Sequence, residues 1–195
     1  LDTLDGNSHK HAYGVSGELK YALREAIELI GNEAIRYKRE VSKEKLYDRT
    51  GIELAGEFSR ECLTFMYRML FLLYLEARPE LGYAPVGAAA YLKGYSLEQL
   101  RDLESLSLTT PEALDGTFIH ESIQRLFGLI WNGFPSKAAA QGGLGLGAVV
   151  NNGFRLAPLQ GHLFDPTKLT ILNSVKLRNR VMQKVIRLMS LAEGK

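Results

Sequence analysis

The apolar positions of the first third of the chain recur at steps of three and four residues. Between 19 and 34 this spacing predicts a helix whose N-cap is Ser16 and whose apolar face is formed by Leu19, Ala22, Leu23, Ala26, Ile27, Ile30 and Ala34. A second helix is predicted from about 53 to 78, and it is apolar nearly all round between Phe58 and Leu75. A helix with so little polar surface is expected at the centre of a bundle.

Three charged residues interrupt the apolar surface of the second helix: Glu61, Arg68 and Glu76. A buried charge without a partner is costly, so we expect each of them to pair with another of the three or with a neighbouring helix. A functional polar cluster is the alternative. Cys62, which has apolar neighbours, is interpreted as a buried thiol and not as a nucleophile.

Start signals indicate shorter helices later in the chain. Ser96 and Gln99 form a capping box, SLEQ, ahead of a helix predicted at 97–106, and Pro111 suits the first turn of the next one. A further helix is predicted at 117–132, with His120 partly exposed in its first turn. Its apolar stripe consists of Phe118, Ile119, Ile123, Leu126, Phe127 and Ile130.

The regular pattern stops between 134 and 168. This Gly- and Ala-rich segment is predicted to be a long loop, in which GAVVNN forms a short strand at most. A last helix is predicted at 174–192, capped by Asn173. It is amphipathic, with Arg178 intruding on its apolar half and with a basic half formed by Lys176, Arg180, Lys184 and Arg187.

These elements predict an all-α fold for the 195 residues, of which 46% are hydrophobic. We expect a single domain over 1–195, an irregular bundle of five or six helices with long Gly- and Pro-rich loops and a polar N-terminal segment at 1–15.

The end of the long loop, PLQGHLFDPTKL at 158–169, is too apolar for a linker and too broken for a helix. The glycine would permit a backbone turn, the Leu–Phe pair would plug the bundle, and the aspartate before proline suits a second turn. The loop would then pin the start of the last helix to the body. The residues expected to do this are Gly161, Leu163, Phe164 and Asp165.

Charge is distributed unevenly along the chain. The net charge is +2, yet residues 166–195 hold seven basic side chains and one acidic one, which leaves −4 for residues 1–165. A basic end indicates a polyanionic partner, because Lys and Arg one turn apart can follow the phosphates of DNA or RNA. A solvated outer face and docking on an acidic partner domain are the alternatives.

Several kinds of site have no motif in the sequence. It lacks a GxxxxGK[ST] phosphate loop and an HExxH zinc motif, and its one cysteine excludes a CxxC pair. The GGLGLGAVV run lacks the preceding strand and the following helix of a nucleotide loop. His9 and His11 lie in the polar N-terminal segment and are interpreted as solvated. We therefore predict no catalytic residue, metal or cofactor in this chain.

The most apolar run, 63–75, contains Arg68 and is too short to span a bilayer. The N-terminal residues lack the apolar core of a signal peptide. We expect no membrane partner and a cytoplasmic location, which the single cysteine fits. Because the chain has no initiator Met, we expect it to be a fragment of a longer protein.

Four stretches, in order, resemble one protein family: ECLTFMYRMLFLLYLEARPELG, YSLEQLRDLE, FIHESIQRLFGLIWNG and QGHLFDP. They are similar to the helical region ahead of the catalytic domain in large adenine-N6 DNA methyltransferases of restriction–modification and related phage-defence systems, such as the type IIG restriction enzymes. In that family the loop often reads NGGLFDP, whereas here Gln160, Gly161 and His162 replace NGG. The resemblance covers most of 18–190.

The resemblance implies a parent that binds S-adenosylmethionine and methylates adenine in DNA, in bacterial defence. The family's NPPY-type tetrapeptide and its cofactor-binding glycine motif are absent from these residues, and no nuclease constellation is evident. No catalytic or cofactor-binding residue is therefore carried over to this sequence.

The implied role is a non-catalytic helical connector whose partners are DNA and the methyltransferase domain of the same chain. Its candidate phosphate contacts are Lys176, Arg180, Lys184 and Arg187. Two alternatives stay open. One is a purely structural scaffold that docks on a catalytic domain, and the other is a small enzyme that uses His162 and Asp165.

Overall fold

The computed structural model describes the backbone of residues 2–43, 51–135 and 154–192 and the side chains of 17–43, 55–135 and 154–190. Helices dominate these ranges, and the only β-type pairing in them is an isolated antiparallel bridge between Phe134 and Leu156. The predicted all-α class is therefore confirmed. The helices are α1 (Asp2–Arg36), α2 (Gly51–Glu76), α3 (Ala89–Gly94), α4 (Leu97–Asp102), α5 (Pro111–Asp115), α6 (Phe118–Asn132), α7 (Thr170–Asn173) and α8 (Asn179–Ala192).

The first helix is longer than its apolar pattern indicates. Its backbone is helical from Asp2, so the predicted polar segment 1–15 continues α1 and Ser16 lies inside the helix. The prediction of Ser16 as the N-cap is wrong. Apolar periodicity reports which turns of a helix are buried, and a helix can extend beyond them with polar residues.

The core forms where α1 and α8 pack together and α2 packs against α1. Cys62 is buried there, as predicted. Each of the three long packed helices contributes fully buried residues, among them Ala26 and Ile30, Phe65 and Met69, and Met182 and Val185. Burial of these apolar side chains is the main favourable term in folding such a bundle.

Two of the predicted start signals are present. The Ser96 hydroxyl accepts a hydrogen bond from the Gln99 backbone N–H at 3.1 Å, and Pro111 opens α5 with Thr110 as its N-cap. The Gln99 half of the capping box is wrong, because the Ser96 N–H donates to the Tyr91 carbonyl instead. The predicted helix 97–106 is α4 with a 3-10 turn, Leu103–Ser105, directly after it.

The predicted last helix, 174–192, begins five residues later, at Asn179. Asn173 ends α7 and does not cap α8, and the chain is non-helical from Val175 to Arg178. Long-range bonds explain the break. The Leu177 N–H donates to His120 Nδ1 at 3.4 Å, and the Asn179 N–H donates to the Gly116 carbonyl at 2.7 Å. Both N–H groups are thus removed from any helix that starts at 174.

The predicted loop 134–168 is described only at its two ends. Residues 136–153, and with them the GAVVNN stretch, lie outside the described part of the chain. At the far end Phe154 packs its ring against Tyr91, Tyr95 and Phe134. Within the described helices, none is long and apolar enough to cross a membrane.

Candidate nucleic-acid interface

A buried arginine on α2 holds the 158–169 loop. Arg68 donates from Nε to the Leu163 carbonyl and from Nη2 to the Asp165 carbonyl, both at 2.7 Å. Its guanidinium also lies over the rings of Phe127 and Phe164. Burial lowers the pKa of Arg68 to about 10, so the group stays charged at neutral pH. We call Arg68 and Glu61 the loop anchor.

Glu61, about two turns earlier on the same side of α2, holds the start of α7. Its carboxylate accepts from the Thr170 hydroxyl and from the N–H groups of Ile171 and Leu172, all within 3.0 Å. A carboxylate at this position satisfies N–H groups that a helix start leaves unpaired and is favoured by the helix dipole. Glu61 therefore acts as a tertiary cap, supplied from 109 residues away.

Glu76 performs the same task at the other end of α2. It accepts from the N–H groups of Leu97 and Glu98 at 3.0 Å and from the Tyr91 hydroxyl at 2.8 Å. Burial raises the pKa of Glu76, against the effect of these hydrogen bonds. The expectation that the three embedded charges find partners is confirmed, but their partners are loop and helix-start groups and they do not pair with one another.

The loop residues singled out in the sequence take unequal parts. Phe164 is buried between Phe71 and Phe127, and Leu163 packs beside the core. Gly161 has φ −87°, and nothing lies near the position of an added Cβ, so the turn does not depend on glycine. The Asp165 carboxylate accepts from the Thr167 N–H and hydroxyl, which lowers its pKa. His162 is not its hydrogen-bond partner in the described structure.

The four candidate phosphate contacts do not share one helix face. Lys176 precedes α8, and its ammonium lies 2.9 Å from Glu121. That contact raises the pKa of Lys176 and lowers the pKa of Glu121. Arg180, in the first turn of α8, donates to Asp115 at 2.5 Å. Two of the four are therefore engaged by the protein's own carboxylates.

The other two lie further along α8 and are more open. Lys184 is exposed and has no ion pair in the described part of the chain. The Arg187 side chain is 71% exposed, and its Nε is 3.8 Å from Glu104, at the limit of an ion pair. Three residues apart on one helix, these two cations are neighbours on its outer face. We call Lys184 and Arg187 the outer basic pair.

Arg178, placed by the sequence on the apolar side of the last helix, binds a buried carboxylate. Its Nε and Nη2 donate to Glu33 at 2.7 and 2.8 Å, a bidentate pair that joins the start of α8 to α1. Burial opposes ionisation of Glu33, but the hydrogen bonds from Arg178 and Arg36 outweigh it and lower the pKa to about 2.

The sequence predicts a partly exposed His120, but the residue is 0% exposed. Its Nδ1 accepts from Leu177, and its Nε2 has no partner among the described residues. Burial lowers the pKa of His120 to about 4, so the ring is neutral at physiological pH. No local signal marks this burial, which depends on a segment 57 residues away.

The sequence predicts that α2 is buried nearly all round, but one face of it is open. Tyr67, Phe71 and Tyr74, spaced by four and three residues, are exposed, and Arg78 lies over the Tyr74 ring. We call these three side chains the aromatic stripe. Sequence spacing does not separate them from core aromatics, because both occur within the same apolar pattern.

Within the described residues no group of three or more His, Cys, Asp or Glu side chains could hold a metal ion. Comparisons with protein-family models, with curated proteins and with solved structures found no match to this chain.

Proposed function

We propose that this chain is a non-catalytic helical connector of a DNA adenine methyltransferase and that it contacts the DNA backbone through α8. The outer basic pair is the observation that carries the DNA contact. Lys184 and Arg187 are exposed neighbours on an ordered helix, and their charges are not neutralised at short distance by the described residues. Such groups can neutralise phosphates and release counterions.

The buried ionisable residues support the non-catalytic part of the proposal. Glu61, Arg68 and Glu76 are the charges that a functional polar cluster on α2 would use, and each is already engaged by backbone or hydroxyl partners. The methyltransferase parent, with S-adenosylmethionine as its cofactor and a place in restriction–modification, rests on the sequence resemblance alone.

Binding of the chain to a short labelled DNA duplex at low salt tests this proposal. Reversal of the outer basic pair, Lys184→Glu with Arg187→Glu, is expected to weaken binding by about tenfold or more, since two phosphate contacts become repulsive. The matched control is Lys20→Glu with Arg39→Glu, which makes the same charge change at exposed positions elsewhere. An equal loss of DNA affinity in both variants, or no binding by the unaltered chain, would contradict the proposed DNA contact.

The aromatic stripe favours a second candidate, the scaffold that docks on the methyltransferase domain. Exposed aromatic residues on one rigid helix face are typical of protein interfaces. In the proposed methyltransferase parent, Tyr67→Ser with Tyr74→Ser is expected to speed proteolysis between the domains. The affinity of the chain alone for DNA should not change in this variant. An unchanged rate of proteolysis would contradict the docking role.

A further inference from the structure

A cleft of about 370 Å³ opens between the α3–α4 corner and α6, and neither residue of the outer basic pair lines it. Lys93, Tyr95 and Gln99 line one wall. Phe118, Ser122 and Arg125 line the other, and their spacing of four and three residues places them on one face of α6. This volume lies at the small end of the range for ligand pockets in proteins.

The cleft is positively charged. Lys93 and Arg125 are its ionisable lining residues apart from Tyr95, and no carboxylate is among the lining side chains. Neither cation makes an ion pair with the described residues. Glu121, whose pKa is lowered in small part by Arg125, makes its hydrogen bonds through Oε1 with Lys176 and the Thr117 hydroxyl and none with Arg125. The two cations are therefore available to bind an anion.

Two exposed aromatic rings accompany these charges. Phe118 belongs to the apolar stripe predicted for α6, yet it is 57% exposed at the cleft while the rest of the stripe is buried. Tyr95 is also exposed, and its ring packs edge-to-face against Phe154, with 5.7 Å between the ring centroids. A planar ligand can stack on such rings without specific hydrogen bonds.

Polar groups of the cleft add hydrogen-bonding capacity. The Gln99 amide and the Ser122 hydroxyl line it and are not used by other described side chains. Ser96 is different, since its hydroxyl already donates to the Leu92 carbonyl and accepts from the Gln99 N–H. An amide that both donates and accepts suits the edge of a nucleobase.

We propose that this cleft binds a nucleotide, with its phosphate at Lys93 and Arg125 and its base against Phe118 and Tyr95. Anion and aromatic recognition in one cavity of this size match a single phosphorylated nucleoside. The ligand is either a free nucleotide or one nucleotide of a single strand, because the two present the same chemistry. The proposal is independent of the role assigned to α8.

Calorimetric titration of the chain with adenosine 5′-monophosphate tests the proposal, beside inorganic phosphate and adenosine as the two halves of the ligand. Saturable binding of the nucleotide, tighter than that of either half, is expected. Phosphate that binds as tightly as the nucleotide would reduce the cleft to a simple anion site and overturn the proposal. Absence of nucleotide binding would overturn it as well.

Two variants locate the binding. Lys93→Gln with Arg125→Gln is expected to weaken nucleotide binding about tenfold or more, and Phe118→Ala about fivefold. Both change exposed side chains, and a thermal melt checks that each variant folds. The control, Lys20→Gln with Arg60→Gln, should bind as the unaltered chain does. Equal binding by all variants would contradict the assignment to this cleft.

A short single-stranded DNA without a terminal phosphate separates the two sources of the ligand. If the strand binds tighter than the mononucleotide and loses affinity in Phe118→Ala, the cleft takes a nucleotide of a nucleic acid. Weaker binding by the strand assigns the cleft to a free nucleotide. The outer basic pair variant should leave mononucleotide affinity unchanged.

Discussion

The loop anchor and the outer basic pair are both built from charged side chains, but they differ in burial and in partner. Arg68 and Glu61 are buried and bind backbone groups 95 to 111 residues away in sequence. Lys184 and Arg187 are exposed and face water or a distant carboxylate. The first pair joins the 158–173 segment to α2, whereas the second leaves its charge available.

This difference separates the residues that maintain the fold from those that can act on a partner. A buried charge cannot bind an external ligand without leaving its own partners unsatisfied, which costs several kcal/mol. When an exposed cation exchanges a weak partner for another one, the protein loses only about 0–1 kcal/mol of stability. We therefore expect the outer basic pair to bind phosphates and the loop anchor to stabilise the fold.

The largest effect is expected at Arg68. Arg68→Ala leaves the partly buried carbonyls of Leu163 and Asp165 without their donor and opens a cavity beside Phe127 and Phe164, so the free energy of unfolding should fall by about 3–5 kcal/mol. Urea denaturation measures this. The control is Arg60→Ala, on the exposed side of the same helix, which should change stability by less than about 0.5 kcal/mol. Equal stability of the two variants would contradict the anchor.

A second, smaller loss of stability is expected when the pH is lowered. His120 has a folded pKa of about 4 against 6.5 when unfolded, so the unfolded state takes up the proton first. Stability should therefore decline as pH falls from 6.5 to 4, by at most about 3 kcal/mol. The pKa of Glu33 is lowered from 4.5 to about 2, so a further loss of stability is expected as pH falls between these two values.

The variant His120→Asn isolates the first of these two pH windows. The amide oxygen of asparagine can still accept from the Leu177 N–H, but it does not titrate. Unfolding midpoints measured at intervals between about pH 6.5 and 4.5 should then vary less in the variant than in the unaltered chain. An equally steep decline in both would show that His120 does not cause the pH dependence.

The smallest effect is expected at the partly exposed ion pair between Arg180 of α8 and Asp115 of α5. Arg180→Ala removes the contact with Asp115, but Asp115 keeps a hydrogen bond from Arg178 at 3.3 Å. The free energy of unfolding should fall by less than about 1 kcal/mol, and this difference should become smaller at high salt. Thermal unfolding at two salt concentrations measures it. A loss as large as that of Arg68→Ala would contradict the expectation that a charge contact outside the core contributes little to stability.

Local signals in the sequence predict a large part of the fold. The bounds of α2 and α6 lie within two residues of their predicted positions, and Ser96 and Pro111 start helices as expected. These features depend on periodicity and on groups within one turn of each other. The same holds for the burial of Cys62, which agrees with its apolar neighbours.

Features that depend on distant residues are not predictable in the same way. The start of α8 is set by Asn179, whose side chain accepts from the Ile119 N–H and donates to the Ala113 carbonyl. Asparagine is a frequent residue at helix starts, but Asn173 carries the same signal. The burial of His120 and the ion pairs of Lys176 and Arg180 likewise arise only when distant segments of the chain meet.

The most direct test of the proposed DNA contact is the salt dependence of duplex binding, measured as the slope of log K against log salt concentration. Neutralisation of the outer basic pair, by Lys184→Gln with Arg187→Gln, should make that slope shallower by about 1.8, close to two phosphate contacts. Lys20→Gln with Arg39→Gln should leave it unchanged. Identical slopes for all three proteins would contradict a DNA contact through α8.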